Sequence, residues 1–338
     1  MALFLAPYND SMRLGQGYNS FLHQQCIDDA FRINRDQVGQ KSTSSNGSIL
    51  QDVNYSSGLV NKISGVVKCL DVSAASCIKN GGIIGSGNSV AVNETTFATS
   101  DLNAVFSVKV VNKKTELLDM AEFEAKKDFN LTSESFLKIY GNCFISGFIE
   151  GGELTGVVST KAAAAEAWSG GGQIKPEEKE WNLEDLYAAA AAFPSKVAQC
   201  PQRTWAILTP YNHTKNFVTW ANDQGIQLPQ FETAQAYAED LLDTYIEYKS
   251  CVKQVQAILQ RPDAYVGRAF ENAIGTGIGE LIEVRSSLKA QMNAISQIID
   301  ELALRPGDID KIKNQNPIED PESWAVWLPV RKALANGI

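Results

Sequence analysis

Apolar and polar side chains alternate with period two through much of the first two thirds of the chain and with helical spacing thereafter. Beyond Val66, residues Leu70, Val72, Ala74, Ser76 and Ile78 share one side of an extended chain. Cys69, Asp71, Ser73, Ala75 and Cys77 take the other, which predicts a strand. A second is predicted by Leu102, Ala104, Phe106, Val108 and Val110 opposed by Val105, Ser107, Lys109 and Val111. Between them, residues 80–101 are rich in Gly, Ser and Asn without a strong period, and residues 41–59 read as an exposed loop. Helical spacing predicts a helix over 113–130, and 136–160 is strand-rich. A helix over 183–193 is closed by Pro194, and a short buried strand over 203–209 ends at Pro210.

The pattern then becomes helical. Tyr237, Leu241, Tyr245, Tyr248, Val252, Val255 and Leu259 form one stripe of a long amphipathic helix that Pro262 terminates. Leu281, Val284, Leu288, Met292, Ile295, Ile299 and Leu302 repeat it until Pro306. Two antiparallel helices of this length make a separate unit, with the segment bearing Trp324, Trp327 and Pro329 packed back onto it. The division this predicts is 1–222 and 223–338. The glycines of Gly275-Thr-Gly277-Ile-Gly279 mark the break between the helices, because no strand precedes them as a dinucleotide site requires.

Charge narrows the functions. With 30 basic and 39 acidic side chains the formal net charge is −9, which disfavours nucleic acid and anionic lipid as general partners. Two histidines, His23 and His213, and six scattered cysteines without zinc spacing predict no metal site, and no cofactor motif is present. No nucleophile elbow, phosphate loop or metalloprotease motif appears, so an enzyme is the less favoured reading. The first residues lack a basic leader and secretory-length apolar run, which predicts a cytoplasmic protein or one released without a signal peptide.

The most specific signal is Tyr140-Gly141-Asn142-Cys143-Phe144, then six residues, then Gly151-Gly152. It resembles the signature of the membrane-attack-complex/perforin superfamily, with Asn142 and Cys143 where that family usually has Thr or Ser and His. Leu14-Gly-Gln-Gly-Tyr-Asn-Ser20 resembles the family's N-terminal Gly-x-Gly-Tyr, and the strand–insert–strand run over 66–110 resembles its first hairpin. The helix and strand over 183–208 are similar to the stonefish-toxin branch, and the arrangement also resembles fungal proteins of this type. The resemblance covers roughly residues 10–220. It implies an α+β fold with a bent, twisted antiparallel sheet flanked by helices and followed by a helical domain. Gly151 and Gly152 then read either as a hinge for that sheet or as a β-bulge pair. Cys143 reads as a buried, inert thiol or as a reactive one.

In that superfamily two helix clusters refold into hairpins of a transmembrane barrel, each needing two strands of ~9–11 residues. Residues 80–101 just reach, although Gly81, Gly82, Gly85 and Gly87 interrupt the alternation. With the flanking strand and the charged turn over 175–180 set aside, only 161–172 remains for the second, too short to cross and return. The tract marked by Lys161, Ala162, Glu166 and Trp168 reads as a shortened membrane segment: a natural loss, an engineered bridge, or an alanine-rich helix start. The resemblance therefore implies self-association and interaction with a lipid membrane or a protein partner, without a pore from this chain. The alternative is an intracellular small-molecule-binding protein or enzyme built on the same sheet.

Overall fold

The computed structural model describes residues 4–33, 51–85, 88–89, 94–98, 100, 102–116, 121–126, 131–160, 183–198, 200 and 202–332. Four short strands open the chain, β1 (Phe4–Pro7), β2 (Gly17–Asn19), β3 (Gln24–Gln25) and β4 (Phe31–Ile33). They are followed by β5 (Asp52–Leu59), the short helices α1 (Ile63–Cys69) and α2 (Ala74–Asn80), β6 (Ile84–Gly85), β7 (Asn88–Ser89) and α3 (Glu94–Ala98). Next come β8 (Leu102–Glu116), β9 (Ala121–Phe123), α4 (Ser133–Tyr140), β10 (Cys143–Thr160), α5 (Leu183–Lys196) and β11 (Arg203–Pro210). The remainder comprises α6 (Lys215–Gln224), α7 (Glu232–Gln260), β12 (Tyr265–Val266), α8 (Ile278–Leu304), α9 (Ile309–Gln315), α10 (Pro321–Trp327) and β13 (Val330–Arg331).

Among the described residues, seven strands form one antiparallel sheet, ordered β1-β11-β10-β2-β3, with β8 also on β10 and β5 on β8. With the C-terminal helices this is the mixed α+β class that the sequence predicts. The longest ladder pairs β8 with β10 from Gly147↔Glu116 to Thr160↔Leu102. β5 forms one edge of this ribbon and is mostly exposed. Past Glu150, no described strand pairs with the other side of β10.

The two faces of the ribbon are covered differently. Val108, Val110 and Leu154 meet Ala189, Ala190, Phe193 and Val197 of α5 and the turn after it. On the opposite face Val105 and Val157 join a large cluster with Val66, Val67 and Ile78 of α1 and α2, and with both long C-terminal helices. Leu241, Tyr248, Val255, Leu281, Leu288, Ile295, Ile299 and Leu302, all from the predicted stripes, are buried in it. Trp324 and Trp327 pack against the same cluster, as expected of a returning C-terminal segment.

Several local expectations are overturned. Residues 66–78 are not a strand; they form α1 and α2. Ile63, Val66, Val67 and Leu70 are buried at helical spacing, Ser73 caps α2 by accepting from the Ser76 amide, and Gly81 closes it at φ 70°. The helix expected over 113–130 is absent where that stretch is described. β8 runs on to Glu116 because Lys113, Lys114 and Thr115 pair with β10, and Ala121–Phe123 pairs with β4. Within 41–59, residues 52–59 are an edge strand, whose outward exposure explains its loop-like polarity. The strand-rich block begins with a helix, α4, opened by a Thr132–Ser135 capping box. Pro194 lies inside α5, two residues from its end.

Candidate functional site

The Tyr140–Phe144 block sits where α4 gives way to β10. Tyr140 is buried at the end of α4, its hydroxyl accepts from the Lys126 amide at 3.0 Å, and its carbonyl accepts from the Tyr211 hydroxyl at 2.8 Å. Gly141 has φ 77°, and a Cβ there would run into the Tyr18 carbonyl, so this turn requires glycine. The Asn142 amide N–H donates to the Tyr18 carbonyl at 3.1 Å. Its side-chain oxygen accepts from the Ser20 amide at 2.9 Å, and its Nδ2 donates to Ser20 Oγ at 2.8 Å. Cys143 is fully buried and its Sγ donates to the Tyr18 carbonyl at 3.2 Å. Burial raises its thiol pKa well above the ordinary range, so thiolate chemistry is suppressed. Phe144 stacks on Phe31 at 3.8 Å between ring centroids.

The partners of this block thus come from β2 and the turn after it, from β4, and from the segments that follow β9 and β11. Gly17, opposite, is also closely approached, since a Cβ there would meet the Tyr140 carbonyl. The two motifs that carry the family resemblance, far apart in sequence, interlock at the start of β10. Their chemistry is that of a satisfied joint: backbone groups paired, thiol buried, rings stacked.

Gly151 and Gly152 occupy the corner of the ribbon. The register slips between Glu150 and Gly151, leaving Asn112 as an extra residue on β8, and a second slip toward β11 falls between Ile149 and Glu150. Bulges on both flanks of one strand bend it and increase its twist. The register slip is a β-bulge, with the glycine pair on the strand opposite its extra residue. A Cβ at Gly151 would run into the Val110 carbonyl, and one at Gly152 would lie 2.8 Å from Val197 Cγ1 and 3.0 Å from Phe193 Cζ. The Asn112 amide spans the corner, donating to the carbonyls of Val197 at 2.6 Å and Cys200 at 3.1 Å and accepting from Gln51 at 2.8 Å.

Just beyond the corner lies a charged group: Glu150 and Glu153, which flank the glycine pair, read in the sequence as a solvated charged turn, whereas Glu153 is half-buried. Glu153 is the register partner of Lys109, on the face that α1 and α2 cover. Lys109 pairs with Asp71, in the turn between those helices, and its Nζ stands 4.3 Å from the Trp205 ring centroid. Burial pushes the Glu153 carboxyl up to about 7; nearby Asp71 adds to the shift, while Lys109 and a bond from Ser107 oppose it. Lys109, a lone cation within an apolar alternating strand, was the available signal. Asn112 was signalled only as a polar break after Val111.

Of the predicted residues, Cys143, Phe144, Gly151 and Gly152 lie on β10, whereas Tyr140 ends α4 and Gly141 and Asn142 form the turn between. Lys161, Ala162, Glu166 and Trp168 lie outside the described residues. The second candidate connection nonetheless has firm ends. β10 closes at Thr160 and β11 opens at Arg203, so residues 161–202, α5 included, join them. This equals in length the 60–101 connection between β5 and β8. No described helix is long and apolar enough to cross a membrane.

The long bulged ribbon, helix-covered on both faces and followed by a helical unit, defines a mixed α+β protein whose distinctive parts are its two long connections. No protein-family model matches the chain. No curated protein matches it. Among solved structures it is similar to one titled "Stonustoxin structure", with a TM-score of 0.46 and 7% sequence identity over 96% of this chain and 47% of that chain. The protein therefore spans about half the length of the solved chain it matches.

Proposed function

We propose that this is a perforin-like, stonefish-toxin-like protein that self-associates and engages a lipid membrane or protein partner through its ribbon and long connections. The carrying observation is the placement of those connections. β5 and β10 end, and β8 begins, at the same end of the ribbon, so residues 60–101 and 161–202 both leave from it. Each is long enough in sequence for two spanning strands of ~9–11 residues and a turn. Residues 1–222 supply this apparatus and 223–338 support it. The edges along β5 and the end of β10, which no described strand covers, supply backbone groups that a second copy can pair with.

The same geometry limits what the protein does while folded as described. For the second connection to form a hairpin of full length, α5 must give up the contacts of Phe193 and Val197 with Val108, Val110 and Leu154. Residues 161–172 alone are too short. Capture at a membrane without crossing is therefore the expected resting behaviour, and the acidic balance makes that capture selective rather than driven by anionic headgroups.

Sedimentation with vesicles of phosphatidylcholine, with and without sterol, sphingomyelin or phosphatidylserine, tests the reading. Capture by at least one composition, with no release of an entrapped dye, is expected. Dye release with matching rings in electron micrographs overturns the non-crossing part. No capture, together with thermal stabilisation by a metabolite, overturns the membrane reading in favour of a small-molecule-binding protein.

A further inference from the structure

α7 and α8 reach beyond the part of the molecule that holds the ribbon. The Asp243 carboxylate of α7 caps the first turn of α1 by accepting from the Ser64 amide at 2.9 Å, and Lys68 at the end of α1 pairs with Glu239. Lys249 caps α2 in turn, donating to the Gly81 carbonyl at 2.9 Å. α1 therefore runs antiparallel to α7. It starts beside the end of the ribbon from which the long connections leave, where the Val60 amide donates to the Asn103 carbonyl, and it is followed by Asp71, the partner of Lys109. α7 accordingly runs toward that same end, and its stretch from Asp243 to Gln260 continues for about 25 Å. The tip so formed comprises the end of α7, β12, the segment leading to α8 and the first turn of α8, with β13 joined to β12 through Val266↔Val330. Ile274 is buried there and its amide donates to the Trp327 carbonyl at 2.9 Å, while Arg268 Nε donates to the Leu328 carbonyl at 3.3 Å, so the segment is fastened to its neighbours.

Three apolar side chains of this fastened tip stand out from it. Phe270, Ile278 and Ile282 are 43%, 60% and 44% exposed. On α8 the core stripe is Leu281, Val284 and Leu288; Ile278 and Ile282 lie off it, on a line that turns polar at Ser286. A Cβ at Gly279 would meet nothing within 4 Å, so this turn stands clear. Residues 261–283 and 330–332 carry four basic and four acidic side chains, a neutral tip on a chain of net charge −9. We propose that the tip docks on a zwitterionic lipid surface, with Phe270, Ile278 and Ile282 inserted among the headgroups. This deepens the membrane reading above and rests on it. Three half-exposed side chains present roughly 300 Å² of apolar surface, short of the ~800 Å² that each partner gives to a stable protein interface. Shallow insertion, with an apolar face ~5–10 Å into the headgroup boundary, matches that scale. Neutrality spares the tip the repulsion that the acidic remainder meets at anionic lipid. Its position brings it to a bilayer together with residues 60–101 and 161–202, which leave the ribbon at the same end.

The test sediments the full chain with phosphatidylcholine vesicles, with sterol or sphingomyelin where the parent requires them. It runs beside the triple variant Phe270→Ser/Ile278→Ser/Ile282→Ser and the control Val218→Ser, which removes an exposed apolar side chain from α6. All three tip positions face solvent, so the triple variant is expected to melt with the parent. Its capture is expected to fall at least tenfold, since fully burying a single Ile or Phe side chain is worth about that factor or more. Val218→Ser is expected to be captured like the parent, and amide exchange of the captured parent to slow over 267–283. If the triple variant melts lower, Phe270→Ser and Ile278→Ser alone give the reading, each expected to lower capture several-fold. Parent-like capture of the folded tip variants overturns the tip and leaves the membrane reading standing. No sedimentation of the parent with any composition overturns both. A dimer that the triple variant loses, without vesicle capture, assigns the tip to a second copy and overturns the proposal. Capture that rises tenfold when phosphatidylserine replaces part of the phosphatidylcholine overturns the zwitterionic assignment.

Discussion

The two connections that leave the same end of the ribbon are held by different means. The first lays α1 and α2 against α7 and α8, with Val66, Val67, Ala75, Cys77 and Ile78 fully or nearly fully buried and both ends of the helix pair bonded to α7. α5 of the second lies on the opposite face, where Ala189, Ala190 and Phe193 are only partly buried and Tyr187 stands 69% exposed. Burial stabilises in proportion to apolar area removed from water, so α5 is easier to lift than α1 and α2. Length alone, equal in the two, would have concealed this.

Substitutions can break that contrast. The largest effect is expected for Ile78→Ala, which empties a fully packed site between α2 and the long helices and should cost about 4 kcal/mol in urea unfolding. The equivalent truncation on α5, Phe193→Ala, should cost distinctly less; equal losses would erase the difference between the connections. Next is Glu153→Gln. The folded-state pKa of Glu153 is raised to about 7, so its favourable contribution is present below its unfolded value near 4.5 and is lost as pH rises through 7. The variant should therefore exceed the parent in stability by up to about 3 kcal/mol at pH 8 and match it below pH 4.5. Thermal melts across that window check the sign.

Smaller effects follow. Gly152→Ala places a methyl against Val197 and Phe193, costing about 2 kcal/mol by overpacking. It should raise amide exchange in α5 without altering α1 and α2, whereas a rise in both would mean that the connections move together. Lys68→Ala removes only a solvent-screened pair with Glu239 and should change stability by less than about 0.5 kcal/mol.

What could be read from the sequence tracks how locally each element is determined. β8 was legible because its own alternation matches its two neighbours, and α7 and α8 because one apolar stripe serves each along its length. The Tyr140–Phe144 block and Gly151–Gly152 were picked out by spacing, but their interlock with Gly17, Tyr18 and Ser20 could not be, since hydrogen bonds across more than a hundred residues leave no periodic trace. α1 and α2 were misread as a strand for the same reason: Asp243 lies 179 positions from Ser64. β5 was missed because an edge strand exposes nearly all its side chains and so carries a loop's composition. Asn112 broke an alternation that the bulge resumes one residue later.

The remoteness of those caps also sets an order of events in synthesis. Asp243 and Lys249 follow their partners Ser64 and Gly81 by 179 and 168 positions. At ~5–20 residues per second, the ribosome completes residues 63–80 roughly 10–30 s before the helix that closes them. During that interval residues 63–80 lack the apolar cover and the bonding partners that α7 later supplies.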